Sequence, residues 1–386
     1  MLLNPRWFFS RTVRVANDMC KHVWKILNAQ RDLLTPQAIE TVDQARRAVL
    51  DAIRAGEDKH KLQQRMNSLE SVANKWLKSY PHASIRDNVE VFLVAMAVAM
   101  SIRTFFLQPF KIPTGSMQPT LYGITHENYR NDPGVAFPSG LARFADSWLR
   151  GISYYHVRAE TEGALQIIDD VPKGVLPLIN KQRFVVGDTP FTIWFPPDNL
   201  FGRAGLREGQ RFEKGEDVVK MKVRTGDHLF VDRMSYNFRR PKRGEIIVFE
   251  TKGIQTLPQD QFYIKRLVAL GGERVRIGND RHLIIDGKRL DATTPHFERV
   301  YSFQGPPRQS HYSGHVNNKT APGLAPQLPN EMTEFKVSPD HYLVMGDNTM
   351  NSSDSRTWGD FPRTNVIGKS FFVYWPFTER FGRANK

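Results

Sequence analysis

The spacing of apolar residues divides the chain into three regimes. Leu62, Met66, Leu69, Val72 and Trp76 recur at intervals of four, three, three and four, the period of a helix with one buried stripe. Upstream, Thr35 followed by Pro36 reads as a helix start and Gly56 as its stop. Residues 1–88 are therefore predicted to be a soluble helical region, either packed on itself or zipped with the helices of another chain. An earlier aromatic and basic segment, Arg6-Trp7-Phe8-Phe9 to Leu27, has the composition of a stretch that packs in such a region or lies on a membrane surface.

The second regime is a continuous apolar run. Val91 to Leu107 comprises 17 residues with one charge, Arg103, near its end, at the short limit of the ~17–25 residues that span hydrocarbon. Arg103 can snorkel, and Phe105 and Phe106 suit the interface. A transmembrane anchor over 89–108 is expected, the alternative being a buried helix of a soluble protein. About ninety residues precede the run, which argues against a cleaved leader. Lys75, Lys78 and Arg86 on the amino-terminal side against Lys111 on the other predict an inside amino terminus.

After the anchor the period drops to two. Short β-type runs separated by Gly, Pro and Asp occupy 228–231, 245–249, 262–270, 282–285, 341–345 and 369–375, and such a series predicts a largely antiparallel β architecture. Asp286-Gly287 reads as a hairpin turn. Residues 123–219 and 291–337 fit the series less well, the latter being rich in Pro, Gly, Ser and Asn and expected to be loops or an irregular lobe.

Composition narrows the function. Of 386 residues, 54 are Lys or Arg and 40 are Asp or Glu, for a net charge of +14. The charge is dispersed, which fits proximity to anionic lipid or plain solubility better than a nucleic-acid groove. No zinc-finger spacing, phosphate-cradling loop or dinucleotide fingerprint is present. The single cysteine, Cys20, precludes an intrachain disulfide, and the eleven histidines are scattered; no metal or cofactor is expected.

One candidate chemistry stands out. Ser116, in Pro113-Thr-Gly-Ser-Met-Gln-Pro119, lies a few residues past the anchor, and a serine hydroxyl needs a base to take its proton during attack. Lys265 interrupts an otherwise apolar strand, Tyr263-Ile-Lys-Arg-Leu-Val-Ala-Leu270. Burial there would favour the neutral amine.

In four blocks, and in the same order, the chain resembles the type I signal peptidases, membrane-anchored serine proteases that use a Ser-Lys dyad. The blocks are Phe110 to Leu121; Gly226 to Val231 with Pro241 to Phe249; Tyr263 to Glu273; and Gly346 to Arg356, continuing through Trp358-Gly359 to Lys369–Pro376. The resemblance implies a mainly β catalytic region of signal-peptidase type, preceded by the helical region and one transmembrane helix. It implies Ser116 as nucleophile, Lys265 as general base, Thr114 as a hydroxyl of the oxyanion hole, Ser352 as a hydrogen-bond partner of the lysine amine, and Asp354 and Arg356 as a supporting pair. Phe110, Ile112, Pro113, Tyr263 and Ile264 would line shallow pockets for small side chains, the basis of cleavage after Ala-x-Ala in signal-peptide-bearing preproteins. Met350, Gly271 and Glu273 depart from common family residues without touching the dyad.

On this resemblance the catalytic core comprises 109–122, 220–275 and 338–386, with 123–219 as an insertion atypical of the family and 276–337 as a second, irregular lobe. The expected setting is a bacterial inner membrane, crossed once, with the amino terminus cytoplasmic and the catalytic region outside. Two other readings remain at this point: a membrane-anchored β binding module without catalysis, and a Ser-Lys regulatory or self-cleaving protease.

Overall fold

The computed structural model describes residues 10–78, 83–168, 180–302 and 312–384. Residues 6–9 of the aromatic and basic segment, and parts of the two poorly patterned stretches, lie outside them. The described chain forms two compact units, 1–97 and 98–386.

In the first unit, helices α1 (Arg11–Ala29), α2 (Pro36–Ala55) and α3 (Lys59–Trp76) close on one apolar core. The Thr35 side chain accepts from Ala38 N, Pro36 supplies the first turn, and Gly56 ends α2 at a φ of 72°, a conformation glycine adopts without Cβ strain. Leu62, Met66 and Leu69 are buried, and Val72 and Trp76 pack at the edge of the same core. Gln30 at the end of α1 exchanges two hydrogen bonds with the Lys78 backbone just past α3, at 2.7 and 3.1 Å.

Helix α4 (Ala83–Phe105) is longer than the apolar run from which it was expected. Arg86, Asp87 and Glu90 interrupt the hydrophobicity of its first turns without opposing helix formation. Its stretch Ile85–Phe105, of mean hydropathy 1.5, is the one helix among the described residues long and apolar enough to cross a membrane, and none of that window is buried.

In the second unit the principal sheet is antiparallel throughout, with strands in the order 107–111, 228–232, 366–375, 246–250, 262–270, 341–345 and 361–362; a short strand, 382–383, pairs with 366–375. The predicted β-runs other than 282–285 all fall in this sheet. Leu283–Ile285 belongs to a smaller four-stranded sheet and turns into Lys288–Arg289 through Asp286 and Gly287, whose φ angles of 46° and 78° make the expected hairpin.

Residues 123–219 contain more strand than their patterning suggested. Thr125–Asn128, Asp217–Arg224 and Ile152–Arg158 form a three-stranded sheet, and Gly163–Ile168, Lys181–Val186, Thr189–Trp194 and Arg211–Phe212 a second. Asp217–Arg224 was obscured by Lys220, which is buried yet donates to the carbonyls of Asp132 and Pro133 at 2.9 and 3.3 Å. A satisfied ammonium tolerates a position that polarity alone marks as exposed. In 291–337 the described residues hold only the short helix Glu298–Tyr301 and the strand Phe335–Lys336. Even so, they bury Phe297, Val300, Val316 and Leu328.

Candidate active site

Ser116 sits in a single 3-10 turn, Gly115–Met117, between the edge strand Leu107–Lys111 and Thr125. Met117 and Leu121 fix the turn by entering the core beside Leu229, Val231 and Ile246. The following loop grips it from the other side: Asn348 N donates to Ser116 O and Asn348 Nδ2 to Gly115 O, both at 3.0 Å. The nucleophilic candidate is thus held by backbone bonds that leave its hydroxyl uncommitted to the turn.

Lys265 occupies an interior strand, paired with Ile247 on one side, in a strand whose other neighbour is His341–Met345. Its Nζ lies 2.8 Å from Ser116 Oγ and 3.1 Å from Ile264 O. The sheet brings together two side chains 149 positions apart. Burial pushes the amine down from 10.5 to about 8, against the opposing pull of the Asp354 and Asp347 charges. The Tyr263 ring, with its centroid 5.5 Å from Nζ, flanks the amine on the same face of the strand.

The loop after His341–Met345 carries the other candidates. Asp354 and Arg356 form a fully buried pair, with Nε–Oδ1 and Nη2–Oδ2 both at 2.9 Å. Burial works against the Asp354 charge, but Arg356 and the Gly346 N–H hold its carboxyl below the usual carboxylate range. Arg356 also donates to Thr349 Oγ1 at 2.8 Å, which in turn accepts from Val316 N at 2.9 Å. The hydrogen bond expected from Ser352 to the lysine amine is not formed; the amine's partners are Ser116 and Ile264. The Ser352 side chain instead lies against Gly346, where an added Cβ would come within 2.3 Å of Ser352 Oγ and 2.5 Å of Ser116 O. Gly346 is what permits this close approach.

Thr114 precedes the turn in extended conformation with its side chain exposed and no capping bond. Its backbone is pressed against Gly123, where a Cβ would lie 2.2 Å from Thr114 O. The expected pocket residues divide. Phe110, Ile112 and Ile264 share one apolar cluster, whereas Tyr263 packs on the opposite face of its strand with Phe249, Phe361 and Trp358. Alternation along the strand separates Tyr263 from Ile264. Pro113 is exposed, and its carbonyl accepts from Ile124 N at 3.2 Å.

Three residues beside the site carried no assigned role in the sequence reading. Arg266 grips Asp347 bidentately at 2.7 and 2.6 Å and donates to Gly244 O at 2.8 Å, while Thr120 Oγ1 donates to Asp347 at 2.5 Å. Arg266 adjoins Lys265 and Asp347 adjoins Gly346. A basic residue next to a buried lysine was the available signal, since a second buried cation requires an anion nearby. Among the described residues no group of three or more His, Cys, Asp or Glu side chains is placed to hold a metal ion.

The Ser116 hydroxyl and the Lys265 amine are both buried and in direct contact, an arrangement in which a neutral amine can take the proton of a hydroxyl. A family model described as signal peptidase, peptidase S26, matches residues 85–128 and 216–375. A probable signal peptidase I-2 of Synechocystis sp. is 31% identical over 155 residues, covering 40% of this chain and 57% of its own length. A probable signal peptidase I-1 of the same organism is 32% identical, covering 42% of this chain and 68% of its own. A signal peptidase I of Pseudomonas fluorescens is 28% identical over 238 residues, covering 52% and 77%. The chain belongs to the peptidase S26 family of signal peptidases.

Proposed function

We propose that this protein is a membrane-anchored endopeptidase that removes signal peptides from exported preproteins after small residues, through an acyl-enzyme on Ser116. The observation that carries the reading is the 2.8 Å contact between Ser116 Oγ and the buried Lys265 Nζ. In the reaction, neutral Lys265 takes the Ser116 proton as Oγ attacks the scissile carbonyl. The oxyanion is stabilised by the Ser116 N–H and the Thr114 hydroxyl, a type of contact worth about 3–4 kcal/mol per donor. The protonated amine then gives its proton to the departing amine, and the emptied base activates the water that releases the acyl group. Asp354 and Arg356 brace the loop that holds Gly115 and Ser116, with Ser352 packed beside them.

The apolar cluster shared by Phe110, Ile112 and Ile264 supports shallow pockets suited to Ala-x-Ala, with Pro113 and Tyr263 at their margins. Leu107–Lys111 is the end strand of its sheet, which supports substrate binding as an added strand. Helix α4 supports a single membrane crossing; Lys75, Lys78 and Arg86 before it against Lys111 after it favour a cytoplasmic amino terminus and an outside catalytic region, and the family resemblance favours a bacterial inner membrane. Residues 129–215 fall outside the family match, which supports reading the 123–219 region as an insertion, with 276–337 as a second lobe within the catalytic core.

The test is cleavage of an Ala-x-Ala peptide by the full chain in detergent, with Ser116→Ala, Lys265→Ala and Lys265→Arg in parallel. All three variants should lose at least about a thousandfold in rate, since guanidinium stays protonated and cannot serve as base. Wild type without activity, or Lys265→Arg with unchanged activity, would overturn the reading and favour a non-catalytic module or a different base.

A further inference from the structure

The helix Gly140–Arg150 is turned the wrong way round for a helix in water. Leu141, Phe144, Ala145, Trp148 and Leu149 follow the i, i+3, i+4, i+7, i+8 pattern of an apolar stripe, yet no residue of the helix is buried. Leu141 is 86% exposed, Phe144 66% and Trp148 65%. Its polar side is the side that docks. Arg143 donates to Tyr154 O, and the Tyr154 hydroxyl donates to Asp146 Oδ2 at 2.8 Å. The orientation is fixed by hydrogen bonds, with the apolar stripe presented outward.

The helix is also rigidly joined to the principal sheet. Trp375 Nε1 donates to Trp148 O at 2.7 Å and Phe377 N to Leu149 O at 2.8 Å, so the outward stripe is coupled to the strand Val366–Trp375. Phe377 is itself exposed there. At the other flank, exposed Trp194 and Phe195 share a cleft with Arg143 and Ser147. On the Trp375 side, exposed Phe377 extends the apolar surface beyond the helix.

We infer that this helix is an in-plane membrane contact: its Leu141, Phe144 and Trp148 stripe inserts into the interfacial layer of a lipid bilayer and sets how the second unit rests on it. The occupant follows from three observations. The last turns of α4, from Val98, belong to the second unit, and Phe106 just after them accepts a hydrogen bond from Arg233 N of that same unit at 3.0 Å, so a spanning α4 tethers that unit to the bilayer. Trp, Phe and Leu on one side with Arg143 and Arg150 on the other is the composition of an interfacial helix. Arg143 and Arg150 outweigh Asp146 on the helix itself, a charge that complements anionic headgroups. The inference rests on the anchored reading above, but the helix lies in residues that the family match passes over, so it is a property of this chain.

The test uses the full chain with Cys20→Ala, carrying either Phe144→Cys or Ser147→Cys labelled with an environment-sensitive fluorophore and reconstituted into phosphatidylcholine–phosphatidylglycerol vesicles. Flotation with the vesicles is scored first. Fluorescence is then quenched separately by a lipid-borne quencher and by aqueous iodide. The expected result is a blue-shifted Phe144→Cys probe, quenched by the lipid-borne group and shielded from iodide, with Ser147→Cys showing the reverse. A Phe144→Cys probe open to iodide in vesicles that float would overturn the inference and leave the anchor standing. Shielding from both quenchers would overturn it in favour of a second copy or another protein surface. Failure to float would overturn the anchored reading itself, and this inference with it. As an independent check, Phe144→Glu should leave cleavage of a detergent-soluble peptide unchanged while slowing cleavage of a vesicle-embedded precursor several-fold; equal slowing of both would count against a lipid contact.

Discussion

At Lys265 the burial that favours the reactive neutral amine also costs the folded protein stability. Burial brings the amine from 10.5 down to about 8, so the neutral, reactive fraction grows as pH rises through about 8. The cleavage rate should increase over that window and level off above it; a pH–rate profile on the full chain checks this, and a flat profile from pH 6 to 9 would be inconsistent with an amine base. The linkage has the same sign. Below pH 8 the amine is protonated in both folded and unfolded chains, and the folded state bears the cost of a buried charge, about 3 kcal/mol at roughly 1.4 kcal/mol per pH unit. Between about 8 and 10.5 the unfolded chain binds the extra proton, and stability rises with pH. Lys265→Met should therefore be inactive yet more stable than wild type at pH 6 by about 1–3 kcal/mol, with the gap closing as pH rises; urea denaturation against pH measures it. Gly346 is the other decisive residue. Gly346→Ala places a methyl group against Ser352 Oγ and Ser116 O, and should abolish cleavage through a displaced turn, visible as lost activity accompanied by about 1–3 kcal/mol of destabilisation.

Among the elements, the loop that runs from 346 to 356 does most to organise the site. It contributes Asn348 to the serine turn and Asp347 to Arg266, and it closes on itself through Asp354 and Arg356. Both ion pairs are buried, and such a pair is costly to break because the surviving partner is left charged and dry. Asp354→Asn should destabilise the second unit by about 3–5 kcal/mol and reduce cleavage, whereas a paired Asp354→Leu, Arg356→Met replacement should recover much of the stability without recovering the rate. Denaturation and turnover measured on the same samples separate the two effects. Much of this loop was legible as a block of sequence. Its bonds were not, because Thr349 and Val316 meet only when residues from a distant segment fold against it.

The whole molecule consists of two compact units with separate cores. Truncating a core residue in one should act on that unit: Leu69→Ala, in the three-helix core, should cost about 2–5 kcal/mol. Heating the detergent-solubilised chain should give more than one transition, with Leu69→Ala lowering only the first unit's midpoint and leaving peptide cleavage at lower temperature unchanged. A single transition shifted as a whole would show the units to be energetically fused.

The sequence by itself determined the local features: the period of α3, the cap and stop of α2, the apolar run of α4, the β-runs of the principal sheet and the Asp286-Gly287 turn. Each depends on residues a few positions apart, and periodicity records such short-range preferences directly. Tertiary structure alone decided the contact of Ser116 with Lys265, the dryness that lowers the amine, and the lack of a Ser352 bond to it. It also decided the separation of Tyr263 from Ile264 and the outward stripe of Gly140–Arg150. These depend on what surrounds a side chain, which is the sum of contacts from segments far apart in the chain.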